Sequence, residues 1–100
     1  MARSSNKAPT RSLHDSDYAS FVASLVAHRN AADLSQRDVA EALGWNQSIV
    51  AKIETAQRRL DVIEFIRLAA VIGFKASAMV ETIEQTLETP SPVKSRRRRK

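Results

Sequence analysis

One hundred residues with a formal net charge of +5 make enough chain for one small domain, and its unfolded surface would be only ~60–65% buried on folding. Cysteine is absent, which excludes disulfides and thiolate metal sites and fits a cytoplasmic setting; no apolar run is long enough for a membrane span, and the start lacks a signal-peptide pattern. Two glycines, 43% hydrophobic residues, no long β-branched alternation and abundant Ala, Leu, Glu, Gln and Arg point to an all-α chain, in which caps and periodicity place five helices.

Residues 1–16 carry Ser, Asn, Pro, Thr and Arg without periodicity and are expected to form a disordered arm. Asp17 is expected to cap a first helix with Tyr18, Phe21, Val22, Leu25 and Val26 as its inward stripe, ending near Ala32 and Asp33. A second helix starts at the capping serine Ser35, with Asp38 three residues on, and presents Val39, Ala40 and Leu43. Gly44 supplies the left-handed residue that ends it. Asn46 is a good cap for a third helix, whose apolar positions are Ile49 or Val50 and Ile53.

After a loop over 55–60, Asp61 and Glu64 form a second capping pattern. The fourth helix then shows Val62, Phe65, Ile66, Ala69 and Ile72 at helical spacing, with Gly73 as its stop and Phe74 folding back on the core. A fifth is expected from about Ser77 to Glu88, with Met79, Val80, Ile83 and Leu87 along one side. The Pro90 and Pro92 segment stops it, because proline cannot continue a helix. Residues 17–88 are therefore the expected domain and 89–100 a disordered basic tail.

The charge is unevenly spread. Six of the 16 basic residues are Lys94 and Arg96 to Lys100, and the rest of the chain has a net charge of −1. Binding to nucleic acid thus requires positive side chains gathered on one face, since it is the charge facing phosphate that counts. Arg37, Lys52, Arg58 and Arg59 are the candidates, with the N-terminal arm as a possible helper.

A helix, a tight glycine turn and a second helix over Leu34 to Glu54 make a helix-turn-helix pattern, which lays its second helix in the DNA major groove. The stretch LSQRDVAEALGWNQSIVAKIE resembles the phage-repressor family of Cro and lambda repressor, the XRE type. The matching residues are Leu34, Ser35, Gln36, Ala40, Gly44, Gln47, Ser48, Val50 and Glu54. The likeness extends back through Arg29 and on through RRLDVIEFIRLAAVIGF, over roughly residues 17–88.

The resemblance implies that Gln47, Ser48 and Lys52 meet base edges. A glutamine amide makes a two-point match to adenine N6 and N7, a serine discriminates less, and a lysine takes guanine O6 and N7 or a phosphate. The competing reading is that all three are ordinary solvated helix residues. By the same resemblance, Gln36 binds a phosphate and braces Gln47. Arg37, Asn46, Arg58 and Arg59 meet the DNA backbone, and Arg29 pairs with Glu54 across the core. Three positions depart from the family pattern. Asp33 and Ala56 stand where glycine is common, and Trp45 replaces a smaller apolar residue, either filling the core between the second and third helices or lying partly exposed against sugar-phosphate.

Catalysis has little to build on. His14 and His28 lack partners at metal-ligand spacing, there is no nucleophile–base arrangement or glycine-rich phosphate loop, and Glu81, Glu84 and Glu88 read as a solvated acidic face. No enzyme activity, cofactor or metal is expected. The expected function is a sequence-specific transcriptional regulator in the cytoplasm, at the nucleoid. It is expected to repress as a homodimer on a palindromic operator, paired through Met79, Val80, Ile83 and Leu87. The alternative is an antitoxin that neutralises a toxin and represses its own operon.

Overall fold

Among the described residues five helices follow one another, and the first four end in the same way. They are α1 (Ser4–Ala31), α2 (Gln36–Leu43), α3 (Gln47–Glu54), α4 (Val62–Ile72) and α5 (Ala76–Thr86). The computed structural model describes the backbone of residues 4–94 and the side chains of residues 16–94. After each of α1 to α4 one residue turns left-handed: Asp33 at φ 63°, Gly44 at 73°, Ala56 at 62° and Gly73 at 105°. The next residue's N–H then donates back to a carbonyl five positions earlier. The four bonds are Leu34 to Arg29 at 3.2 Å, Trp45 to Ala40 at 2.9 Å, Gln57 to Lys52 at 2.8 Å and Phe74 to Ala69 at 3.0 Å. This closure satisfies carbonyls that the helix itself leaves unpaired.

Glycine adopts that backbone freely and aspartate tolerates it, whereas the Cβ of an alanine costs about 1–2 kcal/mol there. Ala56→Gly is therefore expected to stabilise the domain by a net ~0.5–1 kcal/mol, because glycine's extra freedom in the unfolded chain offsets part of the relief. Thermal melts should rise by a few degrees; a lower midpoint would mean that the loop after α3 accepts alanine without strain.

The helix starts are as local as the ends. Ser35 Oγ accepts from Asp38 N–H at 3.0 Å while Ser35 N–H donates to Asp38 Oδ2 at 2.8 Å. Asp61 Oδ1 accepts from Glu64 N–H at 2.7 Å, and Asp61 N–H donates to Glu64 Oε1 at 3.1 Å. The Ser35 backbone N–H holds the Asp38 carboxyl below its ordinary range. Asn46 occupies the cap position of α3, yet its side chain makes no capping bond.

α1 corrects the expected boundary. Asp17 lies inside it and caps nothing, since the helical backbone already begins at Ser4, within the segment expected to be an aperiodic arm. Once a packed stretch has nucleated a helix, adding a further residue costs little and needs no apolar stripe, which accounts for the extension back from Asp17 towards Pro9; the helical turn on the far side of Pro9 has no such explanation. Residues 1–3 and the Arg96 to Lys100 run lie outside the described residues.

α2 packs on α3 and α4, α1 on α3, and α4 on α5. The buried core comprises Val22 and Leu25 of α1, Val39 and Ala40 of α2, Val50 and Ile53 of α3, Phe65, Leu68 and Ala69 of α4, and Met79 of α5. Phe65 meets Phe21 edge-on at 5.2 Å between centroids, and Phe74 folds back to stack on His28 at 4.3 Å. Trp45 packs against the core but is only half-buried, which leaves part of its side chain at the surface.

Two expected apolar stripes are corrected. On α4 the buried arc runs through Leu68, while Val62 and Ile66 are 69% and 50% exposed. On α5 Met79 is a core residue; Ile83 packs partly against the core, Leu87 is half-buried, and Val80 alone of the four stands exposed. Among the described residues no helix is long and apolar enough to cross a membrane.

Candidate nucleic-acid interface

Val50 and Ile53 fasten one side of α3 into the core; at about 100° per residue Ser48 and Lys52 stand on the opposite side and Gln47 on the flank between them and the core. All three are exposed. Gln47 and Ser48 stand in the first turn of α3, and Lys52 sits one turn beyond Ser48. The glycine turn places Asn46 just ahead of them with its side chain free of capping duty, and exposed Arg37 lies in the first turn of α2.

Behind this face runs a chain of hydrogen bonds. Arg29 donates to Glu54 twice, from Nε to Oε2 at 2.6 Å and from Nη2 to Oε1 at 2.9 Å. Arg29 Nη1 donates to the Leu34 carbonyl at 2.7 Å, which ties the end of α1 to the start of the helix-turn-helix. The side chains of Arg29 and Glu54 are only 11% and 10% exposed. The hydrogen bond to Glu54 raises the pKa of Arg29 further, against the lowering effect of burial. Gln36 Nε2 donates to Glu54 Oε1 at 2.9 Å, and Gln47 Nε2 donates to Gln36 Oε1 at 3.5 Å.

The loop arginines are less alike than their adjacency suggests. Arg58 makes two bonds to Glu64, Nη2 to Oε2 at 3.0 Å and Nη1 to Oε1 at 3.3 Å. This pairing raises Arg58 and is the main cause of the lowered Glu64 carboxyl. A phosphate at Arg58 must compete with that carboxylate. Arg59 instead lies over the Tyr18 ring, 4.0 Å from its centroid, a contact that leaves the rim of guanidinium N–H groups available to an anion. The Tyr18 hydroxyl accepts from Leu60 N–H at 3.2 Å, so this one side chain holds the loop at two points.

That role of Tyr18 was not apparent in the sequence, where it read only as the first residue of an apolar stripe. The signal was its polar tip, since a tyrosine at the end of such a stripe usually finds a hydrogen-bond partner. Among the described residues the ion pairs are Arg29–Glu54 and Arg58–Glu64, so Arg37, Lys52 and Arg59 keep unpaired charge around α3.

Comparison with known proteins agrees with this geometry. The profile of the helix-turn-helix family HTH_3 matches residues 25–77. An XRE-family like protein from Pseudomonas syringae pv. tomato str. DC3000 has a solved structure similar to this one, with a TM-score of 0.75 and 36% sequence identity, covering 80% of this chain and 98% of that one. No curated protein matches the chain.

Proposed function

The chain belongs to the XRE-type helix-turn-helix family of DNA-binding transcription regulators, and we propose that it represses transcription by occupying a palindromic operator as a homodimer. The observation that carries this reading is the outer surface of α3, where Gln47, Ser48 and Lys52 are all exposed while Val50 and Ile53 are buried in the core. In the major groove the Gln47 amide suits adenine N6 and N7, and Lys52 suits guanine O6 and N7. Gln36, Arg37, Asn46 and Arg59 set the register on the phosphates, with Arg58 kept mainly to Glu64.

Selection of bound sequences from a random library at stated salt tests the reading. Gln47→Ala should cost about 1–3 kcal/mol at one base position per half-site and relax the preference there. Arg59→Ala should weaken all sequences alike and lower the slope of log affinity against log salt by about 0.9. Selectivity unchanged by Gln47→Ala would show that α3 is not the reader.

A second copy of the chain has a surface to meet. Between α4 and α5 runs an open apolar groove lined by Val62, Phe65, Ile66, Ala76 and Val80, and Ile63 beside it is 56% exposed. Glu81 and Glu84 form the α5 edge of the groove. Exposed Arg67, at about 100° per residue, stands beyond Ile63 on the α4 edge. A positive and a negative edge flanking an apolar strip suit isologous pairing. With the twofold axis along the groove, the Arg67 edge of each copy faces the Glu81 and Glu84 edge of its mate; with the axis across it, like charges would meet. The groove therefore replaces the α5 stripe as the proposed dimer face.

A further inference from the structure

The reading of Gln47 as a base contact rests on α3 entering the major groove, and on that basis we infer that Glu54, two turns along α3 from Gln47 and with its side chain only 10% exposed, decides which base Gln47 accepts. An ionised carboxylate has no proton to donate, so every polar group that faces it must be a donor. Arg29 already fills that requirement with Nε and Nη2. Gln36 reaches the same carboxylate at 2.9 Å, and only its NH2 group can make that bond. Its carbonyl is thereby turned outward, towards Gln47.

The same logic passes one residue further. A carbonyl oxygen accepts only, so Gln47 meets Gln36 through its own NH2 group. At 3.5 Å this last bond is long in the free protein, and a base edge pressed against Gln47 completes its alignment. One hydrogen of the Gln47 NH2 group is then committed to Gln36, its second is directed at the purine N7, and the Gln47 carbonyl faces the 6-position. Adenine offers an N6 amine there and is bound at two points. Guanine offers the O6 acceptor, which opposes a carbonyl. A flipped Gln47 amide would present its NH2 group to the 6-position and favour guanine. Glu54 is accordingly a positioning residue whose acceptor-only character is relayed through Gln36 as a preference for adenine.

Binding competition between operators that differ only by adenine or guanine at the Gln47 position tests the relay, with thermal melts on the same proteins. Glu54→Gln can present either a donor or an acceptor to Gln36, so the adenine-to-guanine ratio should fall about tenfold while the other positions keep theirs. Arg29→Lys weakens the ion pair but retains the carboxylate, and should lower the melting temperature with the ratio intact. Gln36→Leu removes the link, leaves Arg29–Glu54 in place, and should lose the ratio with little change in melting.

A uniform loss of affinity in Glu54→Gln at an unchanged ratio would overturn the inference and leave Glu54 purely structural. Should that variant not fold, the other two still decide: a ratio kept in Gln36→Leu, or lost in Arg29→Lys, overturns it. Gln47→Ala separates this failure from that of the base reading itself. If Gln47→Ala abolishes the ratio and Glu54→Gln preserves it, α3 still reads the base and only the relay is wrong.

Discussion

Arg29→Ala is expected to remove about 3 kcal/mol of folding stability, the largest single loss foreseen for a polar residue of this domain. The deletion leaves the Glu54 carboxylate, 10% exposed, without three donated contacts' worth of order around it: two bonds to the carboxylate itself and the bond that held the Leu34 carbonyl. A charge kept from water without its partner costs far more than an exposed pair contributes. In a domain of this size each kcal/mol moves the melting point by roughly 4–8 °C, so a fall of roughly 12 °C or more is expected. Replacing both partners together with apolar residues of similar volume should recover much of the loss, because no charge is then stranded. A single-variant loss below about 1 kcal/mol would place the pair with ordinary surface salt bridges.

Ile66→Asp is expected to give a folded monomer and to lower affinity for a two-half-site operator by about a hundredfold or more, since joint binding of two half-sites is lost. Ile66 is 50% exposed, so a charge there is hydrated in the monomer but stranded in a filled groove. Sedimentation at micromolar concentration and circular dichroism read the two effects separately. Ile83→Asp should behave differently and unfold the chain, because Ile83 packs against the core. If Ile66→Asp remained dimeric, the interface would lie elsewhere and the α4–α5 groove would be left for another partner, a toxin among them. The proposed axis direction has its own test: Arg67→Glu alone should weaken dimerisation, and adding Glu81→Arg and Glu84→Arg should restore it.

Much of the helix-turn-helix was legible because its signals are local. Ser35 with Asp38 and Asp61 with Glu64 form capping boxes within a single turn, and Gly44 and Gly73 accept the left-handed backbone that ends α2 and α4. Asp33 is the same case at the end of α1, where a residue in place of glycine takes the left-handed form that its short polar side chain tolerates. The start of α1 was not legible. Asp17 has a cap's chemistry, but that chemistry is used only where the preceding chain is extended, and here it is helical.

The sequence by itself thus determined the all-α class, the placing of α2 to α5 and the three side chains offered on α3, since these depend on hydrogen bonds and periodicities spanning a few residues. Only the tertiary structure decided which apolar arc is covered. α4 is apolar around most of its circumference, and a 3.6-residue period cannot choose between the side with Leu68 and the side with Ile66 until α2 packs against it. It likewise moved Met79 into the core, gave Arg58 to Glu64 and Arg59 to Tyr18, and joined Gln36 to Glu54 across 18 residues of sequence. Burial and long-range pairing are properties of surfaces that meet, and no pattern within one helix records its partner.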